Sequence, residues 1–306
     1  MRNLQAWISA CRLRTLPLSI SGAILGSGIA YSRDLFEGSI FTLTILTTLS
    51  LQILSNLAND YGDGVKGTDN ELRIGPERAL QSGKISPKQM RNAIIFNVII
   101  CLVFVVSLIY TAFGAEHFFT SMVFIVLGIL AIIAAIKYTV GASAYGYRAL
   151  GDVMVFLFFG LVSVIGVFGL YGEDFEWLVL FPAISIGAWS TAVLNLNNLR
   201  DVQNDAQMHK QTMVVKIGYE KGKLYHVFLV ASGMATWFFT VYLLAISTYN
   251  YLLFVALVPS LGMVLHLKKV LETQVPAELD PELKKVALLT FFSALLFAIL
   301  VNFAPH

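Results

Sequence analysis

Two short segments of the chain combine aspartate and asparagine at a spacing that suits the binding of a divalent cation. In the first segment, Asn56 precedes Asp60 by four residues and Asn59 precedes Asp63 by four. Residues four apart lie one above the other on the same face of an α-helix. A helix through this segment would therefore direct several oxygen atoms towards one point.

A second segment repeats this arrangement later in the chain. Asn197, Asp201 and Asp205 follow one another at intervals of four residues. The pairs Asn56–Asp60 and Asn197–Asp201 are related by one offset of 141 residues. Such an offset indicates two related halves, and membrane proteins built in this way often place a site where the halves meet.

Carboxylates held close together repel one another, so the arrangement becomes favourable when a cation joins them. Mg²⁺ prefers oxygen ligands and commonly links one or two carboxylates to a substrate phosphate. The segments therefore predict a diphosphate bound through Mg²⁺. Helix caps and solvated charges at a membrane surface are the competing interpretation, which suits one such segment better than two. Basic residues that could neutralise the anion are Lys66, Arg73, Arg78, Arg200, Lys210 and Lys216.

The parts of the chain that position these segments are strongly apolar. Of the 306 residues, 57% are hydrophobic and only 13% are charged, whereas soluble domains have about a quarter of their residues charged. This composition predicts a polytopic membrane protein, and the net charge of +2 gives no indication of nucleic-acid binding.

Apolar stretches that approach the length needed to cross a bilayer occur nine times. Their continuous apolarity favours helices over the alternating strands of a membrane barrel. We therefore predict an all-α transmembrane bundle of nine helices that forms a single domain over residues 1–306. The stretches are about Leu16–Tyr31, Ile40–Leu57, Ala93–Thr111, Phe119–Ile136, Val153–Leu170, Trp177–Leu196, Tyr225–Leu244, Tyr251–Leu267 and Val286–Phe303.

The connections between these stretches alternate in charge. The N-terminus and the loops near residues 58–92, 137–152, 197–224 and 268–285 carry 20 of the 21 Lys and Arg residues. Because positively charged short loops stay in the cytoplasm, we predict a cytoplasmic N-terminus and an external C-terminus. The first three of these loops would form an active site on the cytoplasmic face of the cell's inner membrane.

The two segments resemble the aspartate-rich motifs of the UbiA superfamily of intramembrane aromatic prenyltransferases, which has nine transmembrane helices. Asn59-Asp60-Tyr61-Gly62-Asp63 is similar to the first motif, and Asp201 with Asp205 matches the second. The resemblance implies that Asp60, Asp63, Asp201 and Asp205 bind Mg²⁺ and serve catalysis. The first motif usually continues with an acid four residues later, but residue 67 is glycine and the next acid is Asp69, so the metal role of Asp69 is in doubt.

Within the superfamily the chain is most similar to the 1,4-dihydroxy-2-naphthoate polyprenyltransferases of menaquinone biosynthesis. Residues 10–17, 59–76, 147–160 and 197–212 carry this likeness, although Gln211 replaces a usual arginine. The resemblance implies transfer of a polyprenyl group from polyprenyl diphosphate to the naphthoate, with loss of diphosphate, CO₂ and a proton. The product would be demethylmenaquinol or its oxidised quinone.

The same resemblance implies further substrate-binding residues beside the aspartates. The asparagines would supply supporting oxygens, the basic residues would contact the diphosphate or the naphthoate carboxylate, and tyrosine ring faces would stabilise an allylic cation. Tyrosines near helix ends are also common interfacial anchors. The residues in question are Asn56, Asn59, Asn197, Lys66, Arg73, Arg78, Arg200, Lys210, Tyr61, Tyr138, Tyr145 and Tyr147.

Two alternatives stay open at this point. The acceptor could be another aromatic acid, such as 4-hydroxybenzoate. The chain could also be a secondary transporter, but transporters keep ionisable residues near the bilayer midplane. Here the charged residues gather at one face of the membrane, which favours chemistry on a lipid-soluble substrate.

Overall fold

The computed structural model describes residues 2–69, 74–75, 78–172 and 176–303. Over these ranges the protein is helical and contains no β-strand, and nine helices are long and apolar enough to cross a membrane. Each overlaps one of the nine predicted stretches, so the predicted all-α bundle is confirmed. We number them spans 1 to 9: Leu4–Tyr31, Gly38–Lys66, Pro87–Phe113, Phe118–Lys137, Gly151–Gly169, Trp177–Arg200, Tyr219–Ser247, Tyr251–Glu272 and Pro276–Phe303.

The outward faces of the spans are apolar. Phe96 and Val103 on span 3 are 66% and 56% exposed, and Phe119 on span 4 is 80% exposed. A large apolar surface of this kind is unfavourable in water and marks a region that contacts another apolar phase. Together with the nine apolar spans, it identifies an integral, multi-pass membrane protein.

Span 2 continues well past the predicted boundary at Leu57 and ends at Lys66. Gly67 stops it in a left-handed conformation, with φ 74°, as glycine commonly does after a helix. The first aspartate-rich segment therefore lies entirely on one helix, which confirms the expected stacking of residues four apart.

The second segment differs from this expectation. Span 6 ends at Arg200, and a separate short helix, Val202–Gln207, begins after Asp201. The spacing predicted that Asn197, Asp201 and Asp205 would share one continuous helix. Instead, the helix is interrupted at Asp201. An aspartate opposes the dipole at a helix C-terminus, and the backbone of Asp201 departs from helical geometry, with φ −97° and ψ 10°.

The entry to span 1 is bent rather than straight. A first helix, Arg2–Cys11, packs Ala6 and Ala10 against span 2, and a short turn leads into the helix Leu16–Tyr31. Arg12 lies at the bend with a left-handed backbone, φ 47° and ψ 58°. The bend is bonded to Asn56, in the half of span 2 that ends at Lys66.

The positively charged loops meet at this same end. Lys66 Nζ donates to Thr139 O at 2.7 Å, and Asn204 Nδ2 donates to Thr68 O at 3.0 Å. At the other end, Arg33 pairs with Glu176 at 2.8 Å. The bundle thus separates its basic loops from its more acidic ones, as the charge pattern predicts.

Candidate active site

A cavity of about 610 Å³ opens at the end of the bundle where the basic loops meet. One part of it is polar and the other is apolar, so it suits a ligand with an anionic head and a hydrocarbon chain. The polar part contains most of the residues that the motifs singled out, namely Asn56, Asn59, Asp63, Asp69, Arg78, Tyr138, Asn197, Asp201, Asp205 and Lys210.

Asp63 is held by the loop near residues 137–152. The Tyr147 hydroxyl donates to Asp63 Oδ1 at 2.8 Å, and the Thr68 hydroxyl lies 2.6 Å from the same tyrosine oxygen. Burial, followed by the neighbouring Asp63 carboxylate, raises the pKa of Tyr147 above its ordinary value. Tyr147 therefore keeps its proton and donates a hydrogen bond that fixes the Asp63 carboxylate. The Thr68 hydroxyl in turn donates to the tyrosine oxygen.

Asp205 and Lys210 form a buried pair in the cavity wall. Lys210 Nζ lies 3.6 Å from Asp205 Oδ1. Burial raises the pKa of Asp205 to about 6, although Lys210 opposes this shift. Burial alone would lower the pKa of Lys210, but the carboxylates of Asp63 and Asp205 raise it. The ammonium group therefore stays charged beside the acids.

Arg200 has a different place from the one expected. It does not line the cavity but is fully buried behind it, where it bonds to Asp201 Oδ2 at 2.5 Å and to Asp280 Oδ1 at 2.6 Å. It also donates to Asn197 Oδ1 at 2.8 Å. Arg200 thus orients Asp201 and Asn197, which do line the cavity, and is not itself placed to contact a substrate there.

Asp60 also points away from the cavity. Its two oxygens accept hydrogen bonds from the backbone N–H groups of Ala79 and Leu80, at 3.2 and 3.3 Å. In this arrangement Asp60 anchors the loop that brings Arg78 to the cavity, where Arg78 lies 3.7 Å from Asp69. A metal-binding role for Asp60 stays a prediction.

Three further predicted residues lie away from the cavity or outside the described part of the chain. Lys66 donates to Thr139 O and lies 3.9 Å above the centre of the Tyr147 ring. It therefore stabilises the loop that holds Asp63 and does not line the cavity. Tyr61, on span 2, is half-buried and packs against the neighbouring hydrophobic cluster. Arg73 lies outside the described residues. Of the four tyrosines, Tyr138 and Tyr145 line the cavity.

The residues at the polar end fit Mg²⁺ in chemistry. Asp205 Oδ2 and Asn204 Oδ1 are buried oxygens without a hydrogen-bond partner, and both residues line the cavity. Among the described residues, no three acidic, His or Cys side chains lie together closely enough to hold an ion alone. Mg²⁺ does not need such a cage, because it keeps waters and shares its coordination between one or two carboxylates and phosphate.

The apolar part of the cavity lies among spans 3, 4 and 5. Span 5 contains an unusually wide segment, a π-helix from Phe156 to Gly166, and such segments are frequent at functional sites. Phe158, Phe159 and Val162 on this segment face the cavity, as does Val105 on span 3. The surface is suited to a flexible hydrocarbon chain, since it offers apolar contact without fixed polar partners.

Asn204 is a cavity residue that was not among the predicted site residues. Its Nδ2 group donates to Thr68 O, so it joins the two aspartate-rich segments, while its Oδ1 is buried without a hydrogen-bond partner. The signal for it was present in the sequence. Asn204 follows Asp63 by the same 141 residues that relate the two motifs, so it occupies the position equivalent to Asp63.

Arg12, Arg14, Gln52 and Lys284 also line the cavity and were not predicted. The first two lie in residues 10–17, whose likeness to the family was apparent without any role for their charge. Gln52 lies four residues before Asn56, which places it on the same face of span 2. No sequence pattern pointed to Lys284, because its place in the cavity wall depends on the packing of span 9.

Comparison with known proteins agrees with this architecture. The 1,4-dihydroxy-2-naphthoate octaprenyltransferase of Haemophilus influenzae is 40% identical over 299 residues, which cover 97% of this chain and 96% of that protein. The Escherichia coli enzyme of the same name is 41% identical over 230 residues, covering 75% and 74%. A UbiA homolog from Archaeoglobus fulgidus, bound to GPP and Mg²⁺, superposes with a TM-score of 0.62 at 14% identity, over 97% and 99% of the two chains.

The match to the family itself covers most of the chain. Residues 19–279 match the model of the UbiA prenyltransferase family, a range that includes both aspartate-rich segments and spans 2 to 8. The chain therefore belongs to the UbiA prenyltransferase family.

Proposed function

We propose that this protein transfers a polyprenyl group from polyprenyl diphosphate to 1,4-dihydroxy-2-naphthoate, giving demethylmenaquinol. The observation that carries the proposal is a cavity in which buried carboxylates and Lys210 adjoin an apolar region. This arrangement suits a ligand whose diphosphate must be stabilised while its isoprenoid chain stays out of water. The similarity to two octaprenyltransferases supports the naphthoate as acceptor.

The residues at the polar end would stabilise the leaving group. Lys210 keeps its charge beside Asp63 and Asp205, and Arg78 is held near Asp69. The Asp63, Asp201 and Asp205 carboxylates would hold Mg²⁺, and the bound ion would supply positive charge that stabilises the departing diphosphate. Preorganised cations of this kind lower the barrier because they need no rearrangement during the reaction.

The reaction breaks the bond between the allylic carbon and the diphosphate oxygen, and the electron pair leaves with diphosphate. A carbon of the electron-rich naphthoate ring forms a bond to the allylic carbon. The carboxyl group then leaves as CO₂ and a proton, and its bonding electrons restore the aromatic ring. The rings of Tyr138 and Tyr145, which line the cavity, would stabilise positive charge on the allyl group.

The membrane orientation forms part of the proposal. The loops that carry the site contain most of the basic residues, so we place the site and the N-terminus in the cytoplasm and the C-terminus outside the inner membrane. Labelling of single cysteines in intact cells tests this. Cysteines introduced at Lys88 and Glu116 should react from opposite sides, and equal access from outside would contradict the orientation.

The activity itself is tested with purified protein in detergent. Incubation with the naphthoate, a polyprenyl diphosphate and Mg²⁺ should release CO₂ and form a prenylated naphthol. Absence of any Mg²⁺-dependent product would overturn the proposal. Product from 4-hydroxybenzoate and none from the naphthoate would select the other acceptor instead.

A further inference from the structure

We propose that Arg12 and Arg14 form the binding site for the carboxylate of the aromatic acceptor. This inference rests on the proposed function and adds to it a subsite for the second substrate. Its starting point is that basic residues enter the cavity from more than one direction. Lys210 and Arg78 lie beside the aspartates, whereas Arg12 and Arg14 come from the bend near the start of span 1.

The two groups of cations lie on different parts of the chain. Lys210 is buried against Asp205 at 3.6 Å, and Arg78 lies 3.7 Å from Asp69, so both belong to the acid-rich end where a diphosphate would bind. Arg12 is half-buried and Arg14 is exposed, although both line the cavity. They reach the cavity from the N-terminal bend and not from the loops that carry the aspartates.

The bend is attached to span 2 at Asn56 and Gln52. Asn56 Nδ2 donates to Cys11 O at 2.9 Å and to Thr15 Oγ1 at 3.2 Å. Gln52 Nε2 donates to the same hydroxyl at 3.2 Å. Asn56 precedes Asp63 by seven residues on this helix, a rise of about 10 Å. The bend thus lies beside the junction of the polar and apolar parts, a short distance from the acids.

The conformation of the bend is specific. Arg12 has φ 47° and ψ 58°, a left-handed conformation that is unfavourable for a residue with a β-carbon. The turn is closed by Thr15, whose N–H and hydroxyl both donate to Arg12 O at 2.9 Å. Strained conformations that several hydrogen bonds enforce are concentrated at functional sites. Here the strain fixes the direction in which the Arg12 side chain leaves the backbone.

This position matches what the acceptor needs. Its ring must approach the allylic carbon, which lies where the diphosphate end meets the hydrocarbon end. A guanidinium group suits a carboxylate because it offers two parallel N–H donors. Leu18 and Leu51 line the cavity in the same region and supply apolar contact for the ring. Asn56 then serves as a positioning residue for the arginines.

The test compares Arg12→Gln and Arg14→Gln with Arg91→Gln. Arg91 is an exposed arginine at the start of span 3 that is absent from the cavity wall, so its variant controls for the loss of one charge. Equilibrium binding of 1-hydroxy-2-naphthoate is measured without diphosphate and without Mg²⁺, in neutral detergent. We expect the affinity to fall about tenfold in each test variant and to stay unchanged in the control.

A second ligand isolates the carboxylate. The affinity for 1-naphthol, which lacks that group, should be the same in all three variants and the unmodified protein. In turnover assays the KM for the naphthoate should rise, while the KM for polyprenyl diphosphate should change less than twofold. Arg12→Lys should recover part of the affinity, since it keeps the charge but loses the paired donors.

Other outcomes would overturn the inference. A raised KM for polyprenyl diphosphate alone would assign the arginines to the diphosphate. Equal loss of affinity for the acid and for 1-naphthol would show a purely structural role. Loss of binding to phosphatidylglycerol vesicles with intact naphthoate affinity would assign them to a lipid headgroup. If unmodified protein turned over no naphthoate, the proposed function would fail first; turnover with unaffected arginine variants would refute the carboxylate site alone.

Discussion

The Tyr147 hydroxyl donates a hydrogen bond of 2.8 Å to Asp63 Oδ1, although 84 residues separate the two positions. The bond joins the loop between spans 4 and 5 to the last turns of span 2. It directs one oxygen of Asp63 towards the tyrosine and leaves the other for a ligand in the cavity. The geometry of this carboxylate therefore depends on a loop that the aspartate-rich motifs do not include.

We expect Tyr147→Phe to lower kcat/KM by roughly tenfold to a hundredfold, because a hydrogen bond to a charged group is lost. The steady-state rate at varied Mg²⁺ and polyprenyl diphosphate measures this effect. Tyr171→Phe is the matched control, since it removes a buried hydroxyl bonded to Ser27 at 2.9 Å, outside the cavity wall. Equal losses in both variants would show that the effect is not specific to Asp63.

Asparagine substitutions distinguish the roles of Asp60 and Asp205. Replacement of Asp60, Asp201 or Asp205 by alanine is predicted to abolish turnover. Asp60→Asn keeps one oxygen that can accept from the N–H groups of residues 79–80, so it should recover part of the activity. Asp205→Asn should recover none, because a neutral amide cannot balance a cation.

The assay for these aspartate variants is turnover of protein that has been extracted and checked for correct membrane insertion. Equal inactivity of Asp60→Asn and Asp205→Asn would favour direct metal binding by Asp60. Near-normal activity of the alanine variant at Asp201 would contradict the assignment of the second motif.

Gly62→Ala should disrupt the site through packing. A β-carbon at residue 62 would lie 2.5 Å from Thr139 Oγ1 and 2.8 Å from the Thr139 carbonyl carbon. The loop must then move, which weakens the bonds of Lys66 to Thr139 and of Tyr147 to Asp63. Overpacking of this kind costs about 1–3 kcal/mol.

We expect Gly62→Ala to lower both the thermal midpoint and the rate in detergent. The control is Gly38→Ala, where a β-carbon meets no atom within 4 Å. An unchanged rate in Gly62→Ala would show that the loop adapts without displacing Asp63.

A buried chain of polar side chains joins spans 6 to 9 away from the cavity wall. His226 Nε2 lies 2.7 Å from His266 Nε2, and His226 Nδ1 lies 3.2 Å from Asn195 Oδ1. Glu282 bonds to the far side of His266. Removing one member of such a buried group costs about 3–5 kcal/mol, so His266→Leu should lower the thermal midpoint strongly.

Lys268→Gln is the corresponding control, because its partner Glu272 is 3.9 Å away and both side chains are largely exposed. The rate per folded molecule, measured well below the midpoint, should be nearly unchanged in both variants. A selective loss of rate in His266→Leu would instead connect this chain to the reaction.

The number of spans and the position of the acids could be derived from the sequence. Both depend on local properties: apolar runs of bilayer length, and oxygen-bearing residues at helical spacing in the two segments. The alternation of Lys and Arg between loops also anticipated that the basic loops meet at one end. These patterns are visible because each is confined to a few turns of one helix.

The direction of each side chain was decided by tertiary structure alone. Asp60 and Asp63 lie on the same helix face, yet Asp60 turns to the backbone at residues 79–80 and Asp63 to Tyr147. Arg200 adjoins the second motif but is drawn to Asp280, 80 residues further on. Arg12 enters the cavity because Asn56 holds the preceding turn. A side chain's orientation follows from partners supplied by distant parts of the chain, and such partners leave no trace in local spacing.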